Sequence, residues 1–340
     1  MGERLLLLLV LGVALCAWRW RTGPAHTNPS TPAGAAGALA ASALDAAAPL
    51  AAGISGSLGA LNGAATLQAI PAAGPDARLQ SLVERLIDDE NGDTAVVVRN
   101  LLTGAGATVA DQDVFPAASL AKVPILYEVY RQLDAGKLRR DLLVTITADD
   151  ITDGAGVLQA REGDRLTIDE LLDLAVSVSD NTAARMLLRV AGGVEAVNRT
   201  MADLGLARTR LYADARPNTT SAADMAALLT QLAVRGAPPG ARGQPASGGL
   251  AAAAPSPNTL AALLALPQAQ AWLSRGVPKG VTVAHKSGQL PGVRHDAAIV
   301  YGPRGPFVVV GLTNNLADQD DAEAFLARLS HEVYDFFAKP

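Results

Sequence analysis

The sequence has a single cysteine, Cys16, so no disulfide forms within the chain. A disulfide-free domain suits either side of a membrane, and cysteine usage leaves the compartment open. Strong charge of one sign is also lacking. The formal net charge is −5 and no long basic stretch occurs, which argues against a nucleic-acid partner. His26, His285, His295 and His331 show no metal-ligand spacing, so no metal is expected. His285 reads as a strand residue, and His295 faces either a site or solvent. The glycine-rich stretches match neither the phosphate-loop nor the dinucleotide pattern, which excludes the common nucleotide cofactors. Long apolar runs are missing too. The uncharged stretch Leu5–Trp18 covers fourteen residues, and a spanning helix needs roughly 17–25. It suits a signal-peptide core better. Arg19 and Arg21 follow it, interleaved with Trp18 and Trp20, and Val13-Ala14-Leu15-Cys16 is only loosely similar to a lipoprotein cleavage box. Residues 1–22 are therefore expected to be a signal peptide or a membrane anchor through 5–18, with the remainder exported.

Between Pro24 and Pro75 there is no Phe, Trp or Tyr, and Asp45 carries the only full charge. Such a segment has few large side chains to pack, so 23–75 reads as a disordered Ala/Gly/Pro-rich tether. Composition changes at Asp76, and 76–340 reads as one folded domain. Asp76–Asp88 has helical periodicity, with Leu79, Leu82, Val83 and Leu86 on one face. Thr94–Asn100 and Ala107–Ala110 predict a hairpin turning at Thr103-Gly104. A long helix is expected from near Ser119 past Tyr130. Further helices are expected over Ile168–Ser177, Thr182–Ala191, Ala222–Val234 and Asp321–Phe337. Residues 236–257 read as a flexible surface insertion. Val281–Ser287, Asp296–Tyr301 and Phe307–Leu312 have strand character. Strands at both ends and helices between them predict an α+β fold. Its antiparallel sheet is flanked by helices and carries an inserted all-helical lobe.

Three short elements carry chemistry. In Ser119-Leu120-Ala121-Lys122, positions i and i+3 share a helix face, so hydroxyl and amine point together. A serine hydroxyl needs a base, and a lysine serves when burial or a second cation disfavours its charge. Pro124 is tolerated only near a helix start, which places Ser119 at the first turn. Alone, this spacing also fits a solvated helix face. Ser179-Asp180-Asn181 lies between two helices and also fits a helix cap. Lys286-Ser287-Gly288 ends a strand; Lys286 attracts an anion and Gly288 admits close backbone approach, yet alone it reads as a turn.

The three occur in order, 60 residues from Ser119 to Ser179 and 107 from Ser179 to Lys286. In that order they resemble the S-x-x-K, S-D-N and K-T-G signature of class A β-lactamases and penicillin-binding proteins. Ser287 stands where that signature has threonine and keeps the hydroxyl. Asp153–Gln159 and Gly163–Thr167 are also similar to the family, and the resemblance runs from Asp76 to Phe337. It implies a β-lactamase/transpeptidase-like fold and a hydrolase working through a Ser119 acyl-enzyme. By similarity Lys122 takes the proton, Ser179 relays one to the leaving nitrogen and Asn181 binds the substrate's side-chain amide. Lys286 and Ser287 hold the substrate carboxylate, and Lys286 depresses the pKa of Lys122. The backbone N–H groups of Ser119 and Gln289, beside Gly288, form the oxyanion hole. Arg294 is either a further positive charge for the carboxylate or an ordinary surface arginine. The implied partner is a β-lactam or a D-amino-acid amide, with no cofactor.

One departure stands out. Class A β-lactamases carry a deacylating glutamate on a long loop. The corresponding stretch here, Tyr212–Pro217, has no glutamate, and Asp214 is its only carboxylate. Asp214 is either a shortened substitute base or a turn residue. The resemblance therefore implies acylation followed by slow release. A D,D-peptidase and a non-turnover penicillin-binding or scaffold protein are the alternatives.

Overall fold

The computed structural model describes residues 74–88, 90, 92–235 and 260–339. The signal or anchor, the tether up to 73 and the insertion at 236–257 lie outside the described residues.

Strands from both ends of the domain meet in one six-stranded sheet, in the order β1-β3-β2-β10-β9-β8. Its members are β1 (Gly74–Pro75), β2 (Asp93–Asn100), β3 (Ala105–Val109), β8 (Thr282–Leu290), β9 (Val293–Gly302) and β10 (Gly305–Asn314). All neighbours are antiparallel except the short β1, which runs parallel to β3 and takes up Gly74 and Pro75, two residues that composition assigned to the tether. The unbroken apolar run Val96-Val97-Val98 follows from burial on both faces. Ala95 and Val97 join one core, and Val96 and Val98 join the other. In β10, Val308, Val310 and Leu312 alternate with Phe307 and Val309 in the same way.

One face is covered by α1 (Ala77–Ile87), α8 (Trp272–Arg275) and α9 (Gln319–Ala338). Asp76 caps α1 by accepting from the backbone N–H groups of Arg78 and Leu79. The other face meets α6 (Ala222–Arg235), the short α7 (Leu260–Leu264) and the helical lobe. The lobe holds α2 (Lys122–Asp134), α3 (Ile168–Ser177), α4 (Asn181–Val190) and α5 (Gly193–Asp203). Thr167 and Glu170 form a capping box that starts α3. Two small two-stranded sheets lie outside the main sheet among the described residues. β4 (Phe115–Pro116) pairs with β7 (Thr219–Thr220), and β5 (Leu143–Thr145) pairs with β6 (Arg165–Thr167).

Candidate active site

Ser119 enters the site on a 3-10 turn rather than on the α-helix itself. β4 is followed by Ala117, by Ala118 in the left-handed region (φ 47°) and by the 3-10 turn Ala118–Ala121, and α2 begins only at Lys122. A 3-10 turn has three residues per turn, so i and i+3 eclipse. Ser119 and Lys122 therefore lie side by side, with Lys122 Nζ 3.0 Å from Ser119 Oγ. Pro124 falls within the first turn of α2, where its missing N–H has no partner to lose.

Ser179-Asp180-Asn181 serves as both cap and site. Asp180 is fully buried and caps α4 by accepting from the Ala183 N–H. Its other carboxylate oxygen accepts from the N–H groups of Val157 and Leu158, fixing the 153–159 loop. A Cβ at Gly156 would collide with that carboxylate, which is why glycine stands there. On either side of Asp180, Ser179 and Asn181 turn toward Lys122. Ser179 adopts φ 55°, a conformation that non-glycine residues avoid and that clusters at functional sites. Lys122 Nζ donates to Ser179 Oγ at 3.0 Å and to Asn181 Oδ1 at 2.8 Å, and Ser179 Oγ lies 3.0 Å from Ser119 Oγ. Replacing Asp180 with alanine strands three backbone donors. It is expected to lower unfolding stability by about 3 kcal/mol and the melting temperature by roughly 10 °C, measured by calorimetry.

The third element lies within edge strand β8. Gly288 packs onto the nucleophile turn. A Cβ there would sit 3.2 Å from Ala118 Cβ and 3.3 Å from Ala117 O, so any side chain would press on the turn that carries Ser119. Lys286 shares that face and is 1% exposed; its Nζ donates to Ser287 O. Ser287 alternates to the opposite face, opposite Asp296 in register, and its hydroxyl donates to Gln270 O. A ligand held by both Lys286 and Ser287 therefore lies along the free edge of β8. Gln289 accepts from Gln270 through its side chain.

Two cations sit close together in this buried site. Lys122 is lowered to about 7, chiefly by burial. The charge of Lys286 adds to that shift, and the carboxylate of Asp180 opposes it. Burial also lowers Lys286, to about 8, and the Asp296 carboxylate opposes that shift. An amine titrating near neutrality beside two hydroxyls is able to accept a serine proton. Among the described residues, no three His, Cys, Asp or Glu side chains gather as metal ligands.

Two residues expected at the site are engaged elsewhere. Arg294 is 6% exposed, so it is not a surface arginine. Its guanidinium is held by Glu323 and by the carbonyls of Leu290 and Val293, over the Trp272 ring. It shares the sheet face of Ser287 and Gln289. Asp214 is exposed and chelated by Arg216, with which it also makes a local turn. One buried residue, Asp296, has no counterpart in the sequence expectations for the site. Asp296 accepts from His285 Nδ1 and from the Trp272 and Leu273 N–H groups that start α8. His295, left open between site and solvent, is fully buried against the nucleophile turn. The available signal was the polar run Arg294-His295-Asp296 inside an otherwise apolar strand.

A buried lysine shared by two serines, beneath the edge strand of a sheet with an inserted helical lobe, defines a serine hydrolase of the β-lactamase fold. The chain belongs to the β-lactamase enzyme family, whose model matches residues 78–337. A β-lactamase of Streptomyces cellulosae is 32% identical over 235 residues, covering 64% of this chain and 71% of that protein. β-Lactamase AST-1 of Nocardia asteroides is 30% identical over 250 residues, 68% of this chain and 76% of its own. Among solved structures, PBP-A superposes with a TM-score of 0.68 at 26% identity, covering 80% of this chain and all (100%) of PBP-A. An ancestral class A β-lactamase superposes at 0.65 and 28% identity, covering 76% of this chain and 100% of its own.

Proposed function

We propose that the protein opens β-lactams, or related amides, through an acyl-enzyme on Ser119 that forms readily and hydrolyses slowly. The observation that carries this is Lys122 Nζ, lowered to about 7 and 3.0 Å from both serine hydroxyls. In this mechanism neutral Lys122 takes the Ser119 proton as Oγ attacks the carbonyl carbon. The C–N bond then breaks, Ser179 gives its proton to the leaving nitrogen, and Lys122 restores the proton to Ser179. The backbone N–H groups of Ser119 and Gln289 stabilise the oxyanion; one such donor is worth about 10²–10³ in rate. Asn181 donates one amide hydrogen to Asp153 O and accepts from Lys122, which leaves its second N–H for a substrate amide. Lys286 and Ser287 take the substrate carboxylate. A PBP-A variant captured as an acyl-enzyme with penicillin G supports the acyl step on this fold. Export, supported by the apolar run at 5–18, belongs to the same proposal. Labelling by a fluorescent penicillin, lost in Ser119→Ala, tests it; labelling that survives the substitution overturns it.

Slow release follows from the Tyr212–Pro217 loop. Arg216 holds the Asp214 carboxyl below the usual carboxylate range, and the pair lies in solvent. A solvated carboxylate tied to a guanidinium is a weak base for a buried ester. Asp214→Ala is expected to leave the deacylation rate within about twofold of the unmodified chain. A tenfold or greater fall, on the order of 1.4 kcal/mol, would make Asp214 the missing base. A peptidoglycan D,D-peptidase, which shares all three sequence elements, is the second reading; release of D-alanine from a D-Ala-D-Ala peptide distinguishes it.

A further inference from the structure

Three contacts fix the short stretch that delivers Ser119. Ala117 N–H donates to Asn218 O at 2.7 Å. Gly288 presses on Ala117 and Ala118 from β8. The third contact comes from His295 on β9, opposite Gly288 in register, whose Nε2 lies 2.8 Å from the carbonyl of Pro116. We propose that His295 is a positioning residue for Ser119: its imidazole bridges the sheet to the backbone three residues before the nucleophile and sets the geometry of acylation. The proposal rests on Ser119 being the nucleophile.

The ring has one arrangement that satisfies all its neighbours. Thr313 N–H donates to Nδ1 at 3.1 Å, so Nδ1 is the acceptor and Nε2 carries the hydrogen given to Pro116. Burial lowers the imidazole to about 4, which keeps it neutral under ordinary conditions and preserves this tautomer. Phe115 meets the ring edge-on at 6.0 Å, so both β4 residues are held, one by its side chain and one by its carbonyl. The next residue but one, Ala118, has φ 47°, a strained conformation that persists only where its surroundings fix it. Without the His295 bond, Pro116 O loses a buried donor and the turn is free to relax. Relaxation changes where Ser119 Oγ sits relative to the bound carbonyl. It leaves the β8 edge, where the carboxylate binds, unchanged.

Three variants of the full chain separate positioning from bulk stability. His295→Gln places an amide N–H the same number of bonds from Cα as Nε2 and keeps the Pro116 contact. His295→Asn keeps an acceptor for Thr313 but falls short of Pro116. His295→Phe keeps the ring and loses both bonds. Stopped-flow acylation by a penicillin gives the non-covalent binding constant and the acylation step separately. The acylation step is expected to fall on the order of 10²-fold in the Phe and Asn variants, with binding nearly unchanged. The Gln variant recovers most of the loss. Hydrogen exchange of peptides covering 117–120 is expected to quicken in Phe and Asn and to return toward normal in Gln. Folded Phe or Asn variants with unchanged acylation and protection overturn the proposal. So do equal losses in Gln and Asn that simply track melting temperature. Should the Phe variant not fold, the Gln–Asn pair decides. If the unmodified chain takes no adduct, the acylation mechanism fails, and the exchange data still judge the role of His295.

Discussion

Lys122→Ala is expected to slow acylation of Ser119 by about 10²–10⁴-fold, the range for removing a positioned general base. Lys122 Nζ touches Ser119 Oγ, Ser179 Oγ and Asn181 Oδ1, so the substitution removes both the acceptor of the first proton and its route to Ser179. The loss should appear in the acylation step rather than in the initial affinity, which Lys286 and the β8 edge provide. Stability should hold or rise. An unfolded lysine is charged at neutral pH, and burial at this position disfavours that charge, so the native residue opposes folding there. Stopped-flow acylation alongside thermal melting checks both halves. A variant that acylates normally would remove Lys122 from the mechanism. One that fails to fold would show that its three hydrogen bonds outweigh the burial of its charge.

Lys286→Ala is expected to reduce the second-order acylation constant by roughly 10²-fold, about 3 kcal/mol, through loss of a buried cation facing the substrate carboxylate. It should also move the pH profile. In the unmodified chain acylation rises as Lys122 loses its proton through about 7, because only the neutral amine accepts one. It falls again as Lys286 loses its charge above about 8. The optimum therefore lies in a narrow window between the two. Removing Lys286 deletes the second-largest cause lowering Lys122, so the rising limb shifts to higher pH and the falling limb disappears. A variant with the original rising limb would show that burial alone sets the Lys122 titration.

The sheet, the inserted lobe and the three motifs that line the candidate site were legible because local pattern decides them. Strand character marks β9 and β10, and the three motifs need only their order. What escaped depends on distant partners. α8 is only four residues long and is started by the carboxylate of Asp296, some 24 positions away, so no local cap announces it. α5 opens on Gly192-Gly193, its cap and its first residue, both at positive φ, a pair that reads as a break. His295 looked indifferent between site and solvent because its partners, Pro116 and Thr313, come from other elements. The Ser179 triplet shows the opposite limit. Its sequence fits both a helix cap and a site, and one helix start accommodates both.

Intact-protein mass spectrometry after mixing with a penicillin tests the central claim most directly. The account predicts stoichiometric addition of one whole penicillin, located on Ser119, absent in Ser119→Ala and persisting after free drug is removed. Rapid multiple turnover with no adduct, or an adduct that survives Ser119→Ala, would contradict it.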